Sequence, residues 1–206
     1  MAKETSTHLF NSIASIYGLF FSYQRERYKK NIAAMKDKVA IASYTSVLDV
    51  GCGTGALCSA LSDLALEVTG VDPAERMLAI ARKKAKRDNI TFQEADVVKG
   101  LPFQDNQFDI AIASYVAHGM EKEQRKLLYR EMSRVAKHLV IIHDYNRKRS
   151  ALTSLIEWLE RGDYFHFIKH AESEMRDCLS EMKQCFVHVE VLPIAERANW
   201  YICTPA

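Results

Sequence analysis

Residues 47–55 read Val47-Leu48-Asp49-Val50-Gly51-Cys52-Gly53-Thr54-Gly55, an apolar run of strand length followed at once by glycine at every second position. Directly after it Leu57, Ala60, Leu61 and Leu64 recur at helical spacing. Strand, glycine turn and helix in immediate succession mark the carboxyl edge of an open α/β sheet, where such sheets bind their ligands. Glycine suits that edge because it turns sharply and lets a ligand approach closer than any Cβ would allow. A dinucleotide fingerprint would instead read Gly-x-Gly-x-x-Gly, with a pyrophosphate on the helix N-terminus.

The alternation continues outward from this point. Val68–Val71, Ile90–Phe92, Phe108–Ala113 and Leu139–Ile142 are short and β-branched, and helical patterns lie between them: Met77, Leu78, Ala81 and Ala85, then Leu128, Met132 and Val135. Strand and helix in turn predict right-handed crossovers and a doubly wound, mostly parallel α/β sheet. Val187–Leu192 and Asn199–Thr204, joined across a connection carrying Pro193, predict a final hairpin that adds one antiparallel strand and brings the sheet to seven. Helices are expected at Ala151–Leu159 and Glu172–Met182. Residues 8–42 mix Phe10, Ile13, Ile16, Tyr17, Phe20, Phe21, Tyr23 and Tyr28 with charges, which predicts amphipathic helices over the strand ends. The 206 residues therefore divide, within one domain, into an N-terminal lid (1–42), a core (43–145), a helical insertion (146–186) and a hairpin (187–206).

Composition narrows the partners. Lys and Arg number 28 against 26 for Asp and Glu, so the +2 balance offers no field for a polyanion, and nucleic acid is not expected. The basic runs Arg25–Lys30, Arg82–Arg87 and Arg147–Arg149 read as solvated faces. Five cysteines without a Cys-x-x-Cys pair resemble neither a disulfide framework nor a zinc site, so no metal is expected. The apolar stretch Ile13–Phe21 is too short to cross a bilayer and has no signal-peptide flanks, so a cytoplasmic protein without integral membrane association is expected, as monomer or homodimer.

Three acids stand at three successive strand ends. Asp49 faces the glycine loop, where it repels a pyrophosphate and favours a ligand bearing an ammonium group. Asp72 ends the second strand, where a carboxylate can accept from both hydroxyls of a ribose. Asp96 follows the third strand and can accept from an adenine amine, while Val97 covers the ring. Each has a plainer alternative: Asp49 and Asp72, the latter before Pro73, can cap the turns they precede, and Asp96 can be a turn residue.

The segment from Val47 to His143 resembles the class I S-adenosylmethionine-dependent methyltransferases, in particular their small-molecule type 11 group. The matching residues are Asp49-Val-Gly-Cys-Gly-Thr-Gly55, Gly70-Val-Asp-Pro73 with Met77, Ala95-Asp-Val97, Leu101-Pro-Phe103, and Phe108-Asp-Ile110 leading to Ser114. Phe10–Tyr17 and Arg130–Val135 are similar to the quinone-biosynthesis C-methyltransferases, although Gly18 stands where those carry Asp, and Lys137-His138-Leu139 replaces their Pro-Gly-Gly turn. The resemblance implies a Rossmann-like fold, S-adenosylmethionine as cofactor with S-adenosylhomocysteine as product, and a small, apolar or aromatic methyl acceptor. It places Asp49, Gly51, Cys52, Gly53 and Gly55 around the methionyl part, Asp72 and Pro73 at the ribose, and Met77, Asp96 and Val97 around adenine. Ser114 would meet the ammonium through its carbonyl and Tyr17 would close over the methyl donor.

Methyl transfer is a direct displacement, and a base helps only when the acceptor carries a proton. His118, His143 and Tyr145, after the fourth and fifth strands, are the candidates for that base, and Glu157, Trp158 and Tyr164–Phe167 for an acceptor wall. Two other readings stay open: a non-catalytic cofactor-binding partner of the same fold, and a nicotinamide-dependent oxidoreductase.

Overall fold

A computed structural model describes residues 2–145, 178–195 and 198–206. Two helices, α1 (Ala2–Leu19) and α2 (Phe21–Met35), precede β1 (Ser46–Val50). Then follow α3 (Ala56–Ser62), β2 (Glu67–Asp72), α4 (Glu75–Lys84), β3 (Ile90–Glu94), β4 (Phe108–Ser114), α5 (Lys122–Val135) and β5 (Ala136–Tyr145). Residues 178–185 are helical, and β6 (Phe186–Ala195) and β7 (Ala198–Pro205) end the chain. The seven strands lie in the order β3-β2-β1-β4-β5-β7-β6, with β1 to β5 parallel and β7 antiparallel to both neighbours.

The order reverses between β2 and β4 around β1, so the crevice at the carboxyl ends of the strands opens at the glycine loop. The period of two along each central strand sorts side chains to two faces. Leu48, Val50, Ala111, Ala113, Val140 and Ile142 join Leu128, Tyr129, Met132 and Val135 of α5 on one face. Val47, Val68, Ile110, Ile112 and Ile141 join Met35, Leu57, Leu61 and Leu78 from α2, α3 and α4 on the other. Asp49 shares the phase of Val47 and therefore points toward α3, into a largely apolar layer.

Sequence and structure differ at two places near the hairpin. Strand β5 begins at Ala136, three residues before its apolar run, because its ladder to β4 carries across Lys137 and His138 with a register shift. Pro193, expected in the connection, lies inside β6 opposite Asn199, beside a register shift; β6 is the sheet edge, where proline is tolerated. The expected helix at 151–159 and the aromatic wall at 157–167 lie outside the described residues, and so do residues 172–177 of the second expected helix.

The N-terminal helices are pinned, not loosely laid over the sheet. Arg25 of α2 donates to Ser59 Oγ (2.9 Å) and to Asp63 Oδ2 (2.6 Å) on and after α3. Asn11 Oδ1 of α1 accepts the Arg76 N–H (2.9 Å), one of the donors that the first turn of α4 leaves without an intrahelical partner. Below the sheet end, Arg134 of α5 donates to Leu101 O (3.1 Å), Phe103 O (2.7 Å), Asp105 Oδ1 (2.9 Å) and both oxygens of Glu131. Glu131 Oε2 in turn accepts Leu101 N–H (2.7 Å). One planar fork thus fixes the loop between β3 and β4 that carries Leu101-Pro-Phe103. Arg134→Lys, which keeps the charge but loses the fork, is expected to lower stability by about 1–2 kcal/mol in urea unfolding; an unchanged midpoint would contradict this role.

Candidate functional site

Positive φ at Gly51 (72°), Gly53 (53°) and Gly55 (79°) carries the chain from β1 into α3. The Gly51 and Cys52 N–H groups both donate to Val71 O (2.8 and 2.9 Å), which ties the turn to β2. Gly55 is the left-handed N-cap of α3, and a Cβ there would lie 2.9 Å from Phe92 Cζ and 3.0 Å from Ala81 Cβ. A Cβ on Gly53 would meet nothing within 4 Å. Gly55 is therefore closed in by the fold, whereas Gly53 faces open space.

Asp72 joins this loop to the next. Its Oδ2 accepts the Gly53 N–H (2.9 Å) and its Oδ1 the Ala74 N–H (2.8 Å), so it makes the turn contact expected of a capping residue and also braces the glycine loop. Each carboxylate oxygen keeps a second lone pair for a ligand hydroxyl. Burial raises its pKa, against the lowering pull of those two N–H groups. Asp49 is 1% exposed and accepts from Cys58 Sγ (3.1 Å); burial pushes its pKa up to about 7, with the Cys58 contact opposing and the Asp72 charge adding to the rise. A buried carboxyl so disfavoured as an anion as Asp49 suits a ligand that brings a cation.

The outer part of the site is apolar. Met77 is buried in a cluster with Ala14 and Ala74, against which Tyr17 and Ile80 pack, so Tyr17 stands at the Met77 side of the crevice. Val97 is buried, and Asp96 is half-buried with its Oδ1 accepting Val98 N–H (3.1 Å), the turn contact anticipated as its alternative. Pro73 follows Asp72 at the same edge.

Beyond the loop, the ends of β4 and β5 gather a cluster that includes all three candidate bases. Ser114 Oγ lies 2.9 Å from His143 Nδ1 and donates to Tyr28 Oη (3.1 Å), reaching across to α2. His143 is 2% exposed, and burial pushes its pKa down to about 4, so it is neutral at physiological pH. His118 Nδ1 sits 3.0 Å from Asp144 Oδ1, and the His118 backbone N–H donates to Asp144 Oδ2 (3.1 Å). Burial would raise Asp144, but His118 and the Tyr145 N–H together hold this carboxyl below its ordinary range. Tyr115, at φ 58°, is a left-handed non-glycine residue whose ring lies 4.6 Å from His143 and 4.9 Å from Tyr145. Backbone strain of this sort concentrates at sites.

Tyr28, Cys58, Tyr115 and Asp144 escaped the sequence reading. Asp144 alone carried a signal, an acid closing an apolar strand as Asp49 and Asp72 do; Tyr28 looked like one more aromatic in an amphipathic helix. Among the described residues no group of His, Cys, Asp and Glu is placed to hold a metal ion.

Residues 47–138 match the family described as a methyltransferase domain. The demethylmenaquinone methyltransferase of Shouchella clausii is 35% identical over 147 residues, covering 66% of this chain and 60% of that protein. An uncharacterized methyltransferase of Bacillus subtilis is 31% identical over 70% of this chain and 58% of that protein. The chain thus spans about three fifths of the length of these curated relatives. Among solved structures, a candidate S-adenosyl-L-methionine-dependent methyltransferase of Methanococcus maripaludis superposes with a TM-score of 0.71 at 19% identity, covering 95% of this chain and 93% of that one. A SAM-dependent methyltransferase of Aquifex aeolicus gives 0.61 at 20% identity, over 79% and 82%. These superpositions establish the seven-stranded fold.

The two glycines should respond differently to a methyl group. Gly55→Ala, with a left-handed φ and no room, is expected to cost several kcal/mol, about 1–2 from backbone strain and the rest from overpacking; Gly53→Ala should cost only the strain. Equal losses in thermal unfolding would contradict the geometry. Asp49 gives a pH signature. Its native pKa of about 7 lies above the ordinary 3.8, so the native state binds more protons between these values and its stability contribution falls as pH rises through that window. Asp49→Asn should therefore be the more stable form at pH 8, by on the order of 1–3 kcal/mol, and the difference should shrink toward pH 4. A difference independent of pH would contradict a protonated Asp49.

Proposed function

We propose, from the match of residues 47–138 to a methyltransferase domain, that this chain is a class I methyltransferase that binds S-adenosylmethionine in the glycine-loop crevice and methylates a small, apolar or aromatic molecule. The observation that carries this reading is the buried pair Asp49 and Asp72 beside the glycine loop, the first suited to a ligand cation and the second to ligand hydroxyls, where a Cβ on Gly53 would meet nothing within 4 Å. In this assignment Asp49, Gly51, Cys52, Gly53 and Gly55 surround the methionyl part, and Asp72 with Pro73 receives the ribose. Met77, Asp96 and Val97 enclose adenine, Ser114 offers its carbonyl to the ammonium, and Tyr17 covers the crevice from α1.

The bound cofactor supplies an electrophilic methyl on a sulfonium. The chain's own share is alignment and exclusion of water. Tyr115, Tyr145, His118 and His143 form the wall that an acceptor would meet at the ends of β4 and β5. Where the acceptor loses a proton, His118 is the group suited to take it, because Asp144 Oδ1, 3.0 Å from its Nδ1, is placed to orient the ring. His143, buried and neutral, instead orients Ser114. The aromatic wall and the demethylmenaquinone methyltransferases among the relatives support a flat, apolar ring of quinone type as the acceptor.

Calorimetric titration with S-adenosylhomocysteine tests the assignment. Asp72→Asn keeps one acceptor oxygen and should fold, yet lose about tenfold or more in affinity, the worth of a charge-assisted hydrogen bond. Unaltered affinity, or binding of NAD in place of S-adenosylhomocysteine, would overturn it.

A further inference from the structure

The corner where α1 meets α2 exposes more apolar surface than its surroundings explain. Ile16 is 52% exposed, Leu19 82%, Phe20 50% and Tyr23 64%, and their spacing sets them side by side around one turn. The corner is nevertheless rigidly mounted: Phe21, next in sequence, is buried against Ala56, Ala85 and Phe92, and Gly18 packs on Ile80 and Lys84 of α4. A firm, convex apolar corner of this size is unusual on a surface that meets only water.

Its setting is basic. Residues 16–38 and 73–89, the segments of α1, α2 and α4 around the corner, hold twelve Lys and Arg against four Asp and Glu; the rest of the chain holds sixteen against twenty-two. The near-neutral total therefore hides a polar charge distribution. Asp63 takes up Arg25 and Arg87, and Glu75 takes up Arg82. Arg27, Lys30, Lys83 and Lys84 form no ion pair among the described residues, with Arg27 lying 5.9 Å over the Tyr23 ring and Lys84 5.8 Å over the Phe21 ring. Aliphatic and aromatic side chains at the tip with unpaired cations beside them are the pattern of an interfacial anchor.

We infer that the α1–α2 corner docks the protein on an anionic lipid surface, with Ile16, Leu19, Phe20 and Tyr23 entering the headgroup boundary and Arg27, Lys30, Lys83 and Lys84 meeting lipid phosphates. Nucleic acid fits the cations but not a projecting Leu19. The same two helices bring Tyr17 to Met77 and Tyr28 to Ser114, so the docked corner adjoins the crevice. An acceptor dissolved in the bilayer would then reach the site without crossing water, a consequence that rests on the methyltransferase reading, whereas the docking itself does not.

Sedimentation of the full chain with vesicles, a measurement independent of methyl transfer, tests the docking. The protein should partition onto vesicles of mixed phosphatidylcholine and phosphatidylglycerol about tenfold or more above phosphatidylcholine alone, and less so in high salt. Leu19→Ser with Phe20→Ser, and separately Arg27→Glu with Lys84→Glu, should each reduce partition about tenfold or more while S-adenosylhomocysteine affinity is unchanged. Three results would overturn the inference: no partition of the unaltered chain; equal partition of the serine variant, which would mean attraction to any polyanion; or a homodimer that the serine variant dissolves, which would mean that a second copy covers the corner.

Discussion

The carboxylate of Asp72 organises the crevice. One oxygen holds the Gly53 N–H and the other the Ala74 N–H, so the loop after β1 and the loop after β2 are fixed to a single side chain at the point where the strand order reverses. The remaining features of the site are arranged around that brace. Gly55 closes against Phe92 and Ala81, Gly53 opens outward, and Val116 comes so near Gly51 that a Cβ there would lie 2.5 Å from Cγ2. The loop is held in shape before any ligand arrives, which lowers the ordering cost of binding.

Holding two acids so near each other in an apolar layer works against stability. Asp49 occupies a position whose neighbours in the strand period are Val47 and the buried residues of α3, and a valine there would serve the fold better. Proteins keep such destabilising groups where function needs them. Asp144 shows the opposite arrangement in the same crevice: equally buried, it remains ionised because His118 and two backbone N–H groups partner it. One acid has a histidine and two backbone N–H groups as partners within the chain, and the other has only a thiol.

Much of this was legible in the sequence, and the limits have physical reasons. The run from Val47 to Gly55 disclosed the strand, the turn and the crevice, since period and glycine spacing are local properties. Asp49, Asp72 and Asp96 were visible because each stands at or just beyond the end of an apolar strand. That Asp72 would serve both as a turn residue and as a brace for the glycine loop was not visible, because the Gly53 bond joins residues 19 apart. Tyr28 lies 86 residues from Ser114, and only the packing of α2 on α3 brings its hydroxyl there. The early start of β5 and the place of Pro193 in β6 were misjudged for a related cause: ladder pairing with a neighbouring strand outweighed the local cue in both.

Proton linkage tests the central claim, that Asp49 awaits a cationic ligand, most directly. S-adenosylhomocysteine should be titrated calorimetrically near pH 7 in two buffers of different ionisation enthalpy. If the ligand ammonium converts a half-protonated Asp49 to its anion, binding should release roughly half a proton, and the observed enthalpies should differ between buffers by that fraction. Asp49→Asn should abolish the difference. Binding with no buffer dependence in the unaltered protein would contradict the account.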